Sequence, residues 1–140
     1  RDAQESRALG DVYKRQIKGD LMGTWRLVEY AVDEKYQDVP NPTPIKMYMN
    51  GEFVIIFYLE KKMNFNKGRY VIKDGKVTET IIASSTESLE GEVISFKPNF
   101  MGDKNSFKIN IDFGDYQTFE RWEKTYCDVV ECAKIRTRNN

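Results

Sequence analysis

The fold is decided by the stretch Gly68-Arg69-Tyr70-Val71-Ile72-Lys73-Asp74-Gly75-Lys76-Val77-Thr78-Glu79-Thr80-Ile81. Its centre, Asp74-Gly75, is a dipeptide that two-residue hairpin turns prefer, and strand-forming residues flank it on both sides. A tight turn fixes the register, so Ile72 faces Val77 and Tyr70 faces Glu79. The opposite face suits solvent and carries Arg69, Lys73, Lys76, Thr78 and Thr80. The stretch therefore predicts an antiparallel hairpin whose inward face is apolar except for one carboxylate, that of Glu79.

A second hairpin is indicated by Gly114-Asp115. The same parity argument gives this hairpin an inward face that consists of Phe107, Ile109, Ile111, Phe113, Tyr116, Thr118, Glu120 and Trp122. Ile109 faces Glu120 across the pair, and Lys124 lies two residues beyond Trp122. Two hairpins, taken independently, therefore each place one glutamate inside the protein.

Short strands separated by turn signals continue through most of the chain. The predicted strands span residues 24–32, 45–49, 53–59, 69–73, 76–83, 92–97, 106–113 and 116–126. Asn50-Gly51 is either a hairpin turn or a bulge in one long strand, so the sequence predicts seven or eight antiparallel strands. Lys61-Lys62 and Lys67-Gly68-Arg69 are interpreted as solvated loop charges rather than an anion site. This regular spacing, with no long helix within it, favours a barrel or a sandwich.

Three segments follow from these patterns. Residues 17–126 form the β domain, and residues 1–16, which are polar and aperiodic, are predicted to be a non-native or disordered leader. Residues 127–140 are a C-terminal tail containing Cys127 and Cys132. Two cysteines make neither a disulfide framework nor a zinc site, and their redox state stays open.

Composition excludes several classes of function. The 140 residues carry 22 Lys+Arg against 22 Asp+Glu and no histidine. A balanced charge argues against nucleic-acid binding, and no stretch is long enough to span a membrane. The absence of histidine removes Ser-His-Asp and Cys-His catalysis and histidine-ligated metal or haem sites. We therefore expect no metal and no cofactor.

The two inward glutamates need a physical reason, because burying an unpaired carboxylate is costly. Three explanations stand side by side. Glu79 or Glu120 pairs with Lys124 as a structural plug, or the two carboxylates line a water-filled or ligand-filled cavity. Alternatively they form an acid/base pair with raised pKa values, because neighbouring carboxylates resist double ionisation.

Gly23-Thr24-Trp25-Arg26-Leu27 and Glu120-Arg121-Trp122-Glu123-Lys124 resemble the first and last strands of small bacterial lipocalin-like domains, which are calycin-type barrels of largely uncharacterised function. Asn50-Gly51-Glu52-Phe53 and the Asp74-Gly75 hairpin are also similar to that family. The resemblance covers roughly residues 21–125. It implies an antiparallel up-and-down lipocalin-like β-barrel of about eight strands, closed at one end. Trp25 would plug the closed end beneath a cation, either Lys124 or Arg121.

The resemblance also implies a cavity for a small hydrophobic or amphipathic molecule. The residues expected to line it are Phe57, Tyr70, Glu79, Phe96, Ile109, Ile111, Glu120 and Trp122. Alternative functions are an isomerase, hydratase or cyclase that uses Glu79 or Glu120 as a general acid/base, and a filled-barrel structural or partner-binding module. A monomer or a homodimer is expected, and export from a bacterial cell is compatible with the family.

The segment Phe53–Leu59 is apolar on both faces. That pattern favours a strand covered on both sides, with Leu21-Met22 or the tail as the cover. An oligomer surface through Val54, Ile56 and Tyr58 is the alternative.

Overall fold

The structure is a computed structural model, and it describes residues 16–125. Within that range the strands are β1 (Gly23–Val32), β2 (Lys35–Gln37), β3 (Ile45–Tyr48), β4 (Glu52–Leu59), β5 (Lys62–Lys73), β6 (Lys76–Ser84), β7 (Val93–Phe96), β8 (Asn99–Met101), β9 (Ser106–Asp112) and β10 (Gln117–Lys124). Residues 16–21 are helical, and a 3-10 turn, Glu87–Leu89, lies between β6 and β7. No helix in residues 16–125 is long and apolar enough to cross a membrane. The leader up to residue 15, and the tail with both cysteines, lie outside the described residues.

All ten strands belong to one antiparallel sheet. Its order is β7-β6-β5-β4-β3-β1-β10-β9-β8, and β2 pairs only with β1. The sheet curls until β7 contacts β9, but no backbone ladder joins those two strands within the described range. We call the gap between β7 and the β9–β10 hairpin the seam. The predicted barrel is confirmed, and its eight predicted strands correspond to the longer strands, whereas β2 and β8 have three residues each.

Both predicted hairpins have the predicted register. Ile72 pairs with Val77 and Tyr70 with Glu79, and both turn residues between them, Asp74 and Gly75, have positive φ angles of 52° and 74°. In the second hairpin the ladder contains the pairs Ile111–Thr118, Ile109–Glu120 and Phe107–Trp122. Of the two readings of Asn50-Gly51, the hairpin is correct, because β3 and β4 pair antiparallel around it.

The interpretation as loop charges is correct for Lys61, which is exposed in a turn, but wrong for Lys62, Lys67 and Arg69, which belong to β5. β5 runs without a break from Lys62 to Lys73, and Glu60 and Lys61 form the turn before it, with φ angles of 52° and 64°. The start of β5 was missed because its pattern is inverted. Asn64 and Asn66 face inward, whereas Met63 and Phe65 point outward and are exposed.

One end of the barrel is sealed by the helical residues 16–21. Ile17 and Leu21 are buried, and the Nε1 atom of Trp25 donates a hydrogen bond to the Leu21 carbonyl at 2.8 Å. The Trp25 ring packs edge-on against Phe107, with 4.6 Å between ring centroids. Lys124 Nζ lies 5.3 Å from the centroid of the Trp25 ring. The Trp25 end is therefore closed by apolar packing that β1, β9 and the helical segment share.

The outer face of β4 is covered only in part. Val54 and Ile56 are half-buried, but Tyr58 is 41% exposed. Leu21 packs into the closed end of the barrel, with its neighbour Met22 exposed. The expected cover over β4 is thus missing at the far end of that strand within residues 16–125.

Candidate ligand-binding site

The inward side chains of β4 and β5 pass from buried to half-exposed along the barrel. Phe53, which lies at the Trp25 end, is buried, whereas Ile55 and Phe57 are half-buried on the same face. Their partners Asn66 and Asn64 on β5 are half-buried as well. Inward-facing residues that stay partly accessible indicate space above the packed core. Within residues 16–125 the barrel is therefore filled at one end and open at the other.

A buried ion pair occupies the middle of the barrel. β3 directs Lys46 and Tyr48 inward, and Lys46 Nζ lies 3.0 Å from Oε2 and 3.3 Å from Oε1 of Glu79. The Tyr48 hydroxyl donates a short hydrogen bond to Glu79 Oε2. Burial, followed by the charge of Glu79, raises the pKa of Tyr48 well above 10.0, so the phenol stays a donor. Both carboxylate oxygens of Glu79 are thus engaged.

Aromatic rings surround the ammonium group of Lys46. Its Nζ atom lies 5.1 Å from the ring centroid of Phe96, 5.2 Å from that of Tyr48 and 5.7 Å from that of Trp122. Lys46 and Glu79 are only 5% and 3% exposed. Of the three explanations for an inward carboxylate, structural pairing fits Glu79, but its cation is Lys46. Lys124 lies instead against Trp25 at the closed end.

Glu120 is bound less completely than Glu79. Its Oε1 atom accepts a hydrogen bond from Trp122 Nε1 at 2.9 Å, and no group in residues 16–125 donates to Oε2. Burial raises the pKa of Glu120 above 4.5 and the charge of Glu79 adds to that effect, whereas Lys46 and the Trp122 hydrogen bond oppose it. Glu120 therefore has one carboxylate oxygen available inside the barrel.

Two hydroxyl groups lie close to Glu120. Tyr30 pairs with Glu120 across β1 and β10, and its pKa is raised by burial, then by the charges of Glu120 and Tyr116. Thr118 precedes Glu120 by two residues on the inward row of β10 and is 6% exposed. Its hydroxyl has no hydrogen-bond partner in the described part of the chain. A buried hydroxyl without a partner is costly, so this position calls for an explanation.

An open pocket of about 330 Å³ lies at the seam. Ile81, Ile94 and Ile111 contribute the inward rows of β6, β7 and β9 to its wall. Phe113 and Tyr116, at the turn of the second hairpin, stack on each other with 4.9 Å between their centroids. Tyr116 thus borders the pocket, and its charge also raises the pKa of Tyr30. Because Tyr30 pairs with Glu120, these contacts connect the seam to Glu120.

The structure distributes the predicted lining residues over two zones. Ile111 borders the seam pocket, and Phe57 and Glu120 are half-buried towards the open end. The packed interior buries the other five predicted residues, namely Tyr70, Glu79, Phe96, Ile109 and Trp122. Tyr70, for example, donates a hydrogen bond to the Met49 carbonyl at 2.5 Å. No group of three or more Asp and Glu side chains within residues 16–125 is arranged to hold a metal ion.

Sequence reasoning missed Lys46, Tyr48, Tyr30 and Thr118 as participants in this polar interior. Lys46 and Tyr48 alternate with Ile45 and Met47, so parity alone could not show which pair faces inward. Thr118 was placed on the inward face, but nothing in the sequence showed that its hydroxyl lacks a partner. The Lys46–Glu79 pair would have required the long-range register of β3, in which Lys46 is opposite Trp25.

Replacing Glu120 with glutamine should raise the melting temperature at pH 7 but not at pH 4. The raised pKa means that the folded state holds the proton of Glu120 more tightly than the unfolded state does. The contribution of this group to stability is therefore fully present below pH 4.5 and is lost as the pH rises through the raised pKa. Glutamine removes that loss and keeps an oxygen for Trp122. Thermal melts of both proteins at the two pH values measure the effect.

Glu123→Gln is the matched control on the same strand. Arg121 and Arg26 lower the pKa of Glu123, so this change should destabilise the protein at pH 7 and have little effect at low pH. An equal shift at both pH values for Glu120→Gln would contradict the assignment of a raised pKa.

No protein-family model and no curated protein matches this chain. A lipocalin-like protein from Bacteroides uniformis ATCC 8492 has a similar structure, with a TM-score of 0.56 at 18% identity over 76% of this chain and 100% of that one. An uncharacterized protein from Bacteroides eggerthii DSM 20697 matches with a TM-score of 0.52 at 18% identity, over 75% and 99%. A de novo designed fluorescence-activating β-barrel matches with a TM-score of 0.50 at 10% identity, over 78% and 97%. The chain therefore has the lipocalin-like β-barrel fold that its first and last strands predicted.

Proposed function

We propose that this barrel binds one small hydrophobic or amphipathic molecule, which enters at the seam and extends towards Glu120. The observation that carries the proposal is the pocket of about 330 Å³, whose wall includes the inward residues Ile81, Ile94 and Ile111. Small-molecule sites start at about 300 Å³ and combine an apolar wall with a few polar groups. The seam pocket meets that description, and the polar residues of its lining are Asn66, Glu92, Ser95 and Asp112.

A filled barrel is the less favoured reading. Its core is complete around Trp25 and Phe107, but the half-buried inward residues of β4 and the seam pocket are features that a module packed solid would lack. The seam, where no backbone ladder joins β7 to β9 within residues 16–125, provides a route into the interior. Access and space therefore occur at the same place.

Filling the pocket should abolish binding. In Ile94→Trp the larger side chain would extend from the pocket wall and fill the space at the seam. We therefore expect the affinity for N-phenyl-1-naphthylamine, a neutral apolar fluorophore, to fall at least about tenfold. Fluorescence titration measures this change. Val71→Trp is the control, because Val71 is 64% exposed on the outward face of β5. Equal affinity in Ile94→Trp and wild type, with both folded by circular dichroism, would refute binding at the seam.

A barrel isomerase, hydratase or cyclase is the second candidate, and the raised pKa of Glu120 is the observation that favours it. Glu79 is a poorer acid/base, since Lys46 and Tyr48 already bind both of its oxygens. For any substrate that the protein turns over, Glu120→Gln should abolish turnover and preserve binding. Unchanged turnover in that variant would remove the enzyme hypothesis.

A further inference from the structure

We propose that the polar end of the ligand is a primary ammonium group, bound by Glu120 and Tyr30. This inference rests on the proposed function, because it names the chemical class of the molecule that the barrel would bind. It follows from the charge balance of the interior and from the acceptors that the described side chains leave available.

The charges in the middle of the barrel do not balance. Lys46 is held by Glu79 through contacts of 3.0 and 3.3 Å, and the rings of Tyr48, Phe96 and Trp122 enclose its ammonium group. Glu120, when ionised, adds a second negative charge that receives only the neutral Trp122 N–H within hydrogen-bond distance. The three groups Lys46, Glu79 and Glu120 then carry one net negative charge. A cationic group beside Glu120 would balance it.

Two acceptors lie on adjoining inward rows. They are Oε2 of Glu120 and the hydroxyl of Tyr30, two half-buried residues that pair across β10 and β1. The hydroxyl oxygen of Thr118, which is the next inward residue of β10, has less than 1 Å² exposed, so it offers no contact to a ligand. No hydrogen bond within residues 16–125 uses Oε2 of Glu120 or the Tyr30 hydroxyl. A primary ammonium has three N–H donors, so it can donate to both acceptors at once.

Other polar ends fit this site less well. A carboxylate would meet the negative charges of Glu79 and Glu120, with Lys46 already paired. A hydroxyl has one donor and cannot balance the charge. A trimethylammonium balances the charge but has no N–H to donate. Charge and donor count together therefore select the primary ammonium.

The test compares four ligands with the same octyl chain and different ends. Octylammonium, octyltrimethylammonium, octanol and octanoate each compete with N-phenyl-1-naphthylamine in a fluorescence displacement assay at pH 7. We expect octylammonium to bind at least about tenfold more tightly than octanol or octanoate, the scale of a charge-assisted hydrogen bond. Octyltrimethylammonium should fall between them.

Two variants connect the preference to named atoms. Glu120→Gln should weaken octylammonium at least about tenfold and change octanol less than about threefold. Tyr30→Phe should weaken octylammonium about threefold, because it removes the second acceptor and keeps the ring. Thr80→Val, on the outward face of β6, is the control and should leave all four affinities unchanged.

The outcomes separate the two proposals. If the fluorophore binds at the seam but the four octyl ligands compete equally, or if Glu120→Gln keeps the full preference for octylammonium, the ammonium assignment is wrong and apolar binding stands. If the folded wild type binds neither the fluorophore nor any octyl ligand, the proposed function fails, and the ammonium assignment fails with it.

Discussion

Replacing Lys46 with methionine should lower the free energy of unfolding by about 3–5 kcal/mol, the cost of breaking a buried ion pair from one side. The variant leaves Glu79 buried with only the Tyr48 hydrogen bond, and methionine keeps most of the apolar volume of the lysine stem. Equilibrium unfolding in urea, monitored by circular dichroism, measures the loss. This is one of the two largest single-residue effects that we expect in the described part of the chain.

The double variant Lys46→Met/Glu79→Gln separates the charge from the packing. Removing both charges eliminates the unpaired carboxylate, so most of the stability lost in Lys46→Met should return. Arg26→Met is the surface control, because Arg26 and Glu123 pair at 3.1 Å with side chains 52% and 36% exposed. Exposed pairs contribute about 0–1 kcal/mol. A loss in Lys46→Met no greater than that in Arg26→Met would show that the interior pair does not form.

Gly68→Ala should be the second large effect, with a loss of about 3 kcal/mol or more. A Cβ atom at this position would collide with the Thr80 carbonyl oxygen on the neighbouring strand and lie 2.9 Å from Cε1 of Phe53. The collision is with backbone, which cannot move without opening the β5–β6 ladder next to its irregularity at Lys67/Gly68. Urea unfolding again provides the measurement.

Gly19→Ala is the matched control for this steric argument. Gly19 lies in the helical residues 16–21, and a Cβ there would have no neighbour within 4 Å. Alanine favours a helix over glycine by about 1 kcal/mol, so the control should be neutral or stabilising. Equal stability of Gly68→Ala and wild type would mean that β5 and β6 are farther apart at this point than described.

The parts of the fold that could be predicted from sequence are those governed by local turn chemistry. Asp74-Gly75 and Gly114-Asp115 set two registers, and these registers placed Glu79 and Glu120 on the inward face. The Glu60-Lys61 turn gave no such signal, because two residues with side chains adopt the positive φ angles that glycine or asparagine normally supplies. Its hairpin was consequently only half recognised.

The candidate site was harder to predict because its geometry depends on distant pairings. The ladder between β1 and β10 shifts between Leu27 and Glu29, so Leu27 and Tyr30 both face inward although three positions separate them. Strict alternation would have placed Tyr30 outside. Lys46 likewise depends on a register that no adjacent turn fixes. Local patterns located the two carboxylates, but not the cation and the hydroxyls around them.

The pairing of β1 with β10 also determines how the chain can fold. Arg26 meets Glu123 across 97 residues of sequence, and Glu29 meets Arg121 across 92. Closing so long a loop has an entropic cost before any contact offsets it, and domains rich in such pairings fold in about milliseconds to seconds. During synthesis, β1 leaves the ribosome long before its partner exists. β1 must therefore stay unpaired along that side until almost the whole described domain has been translated.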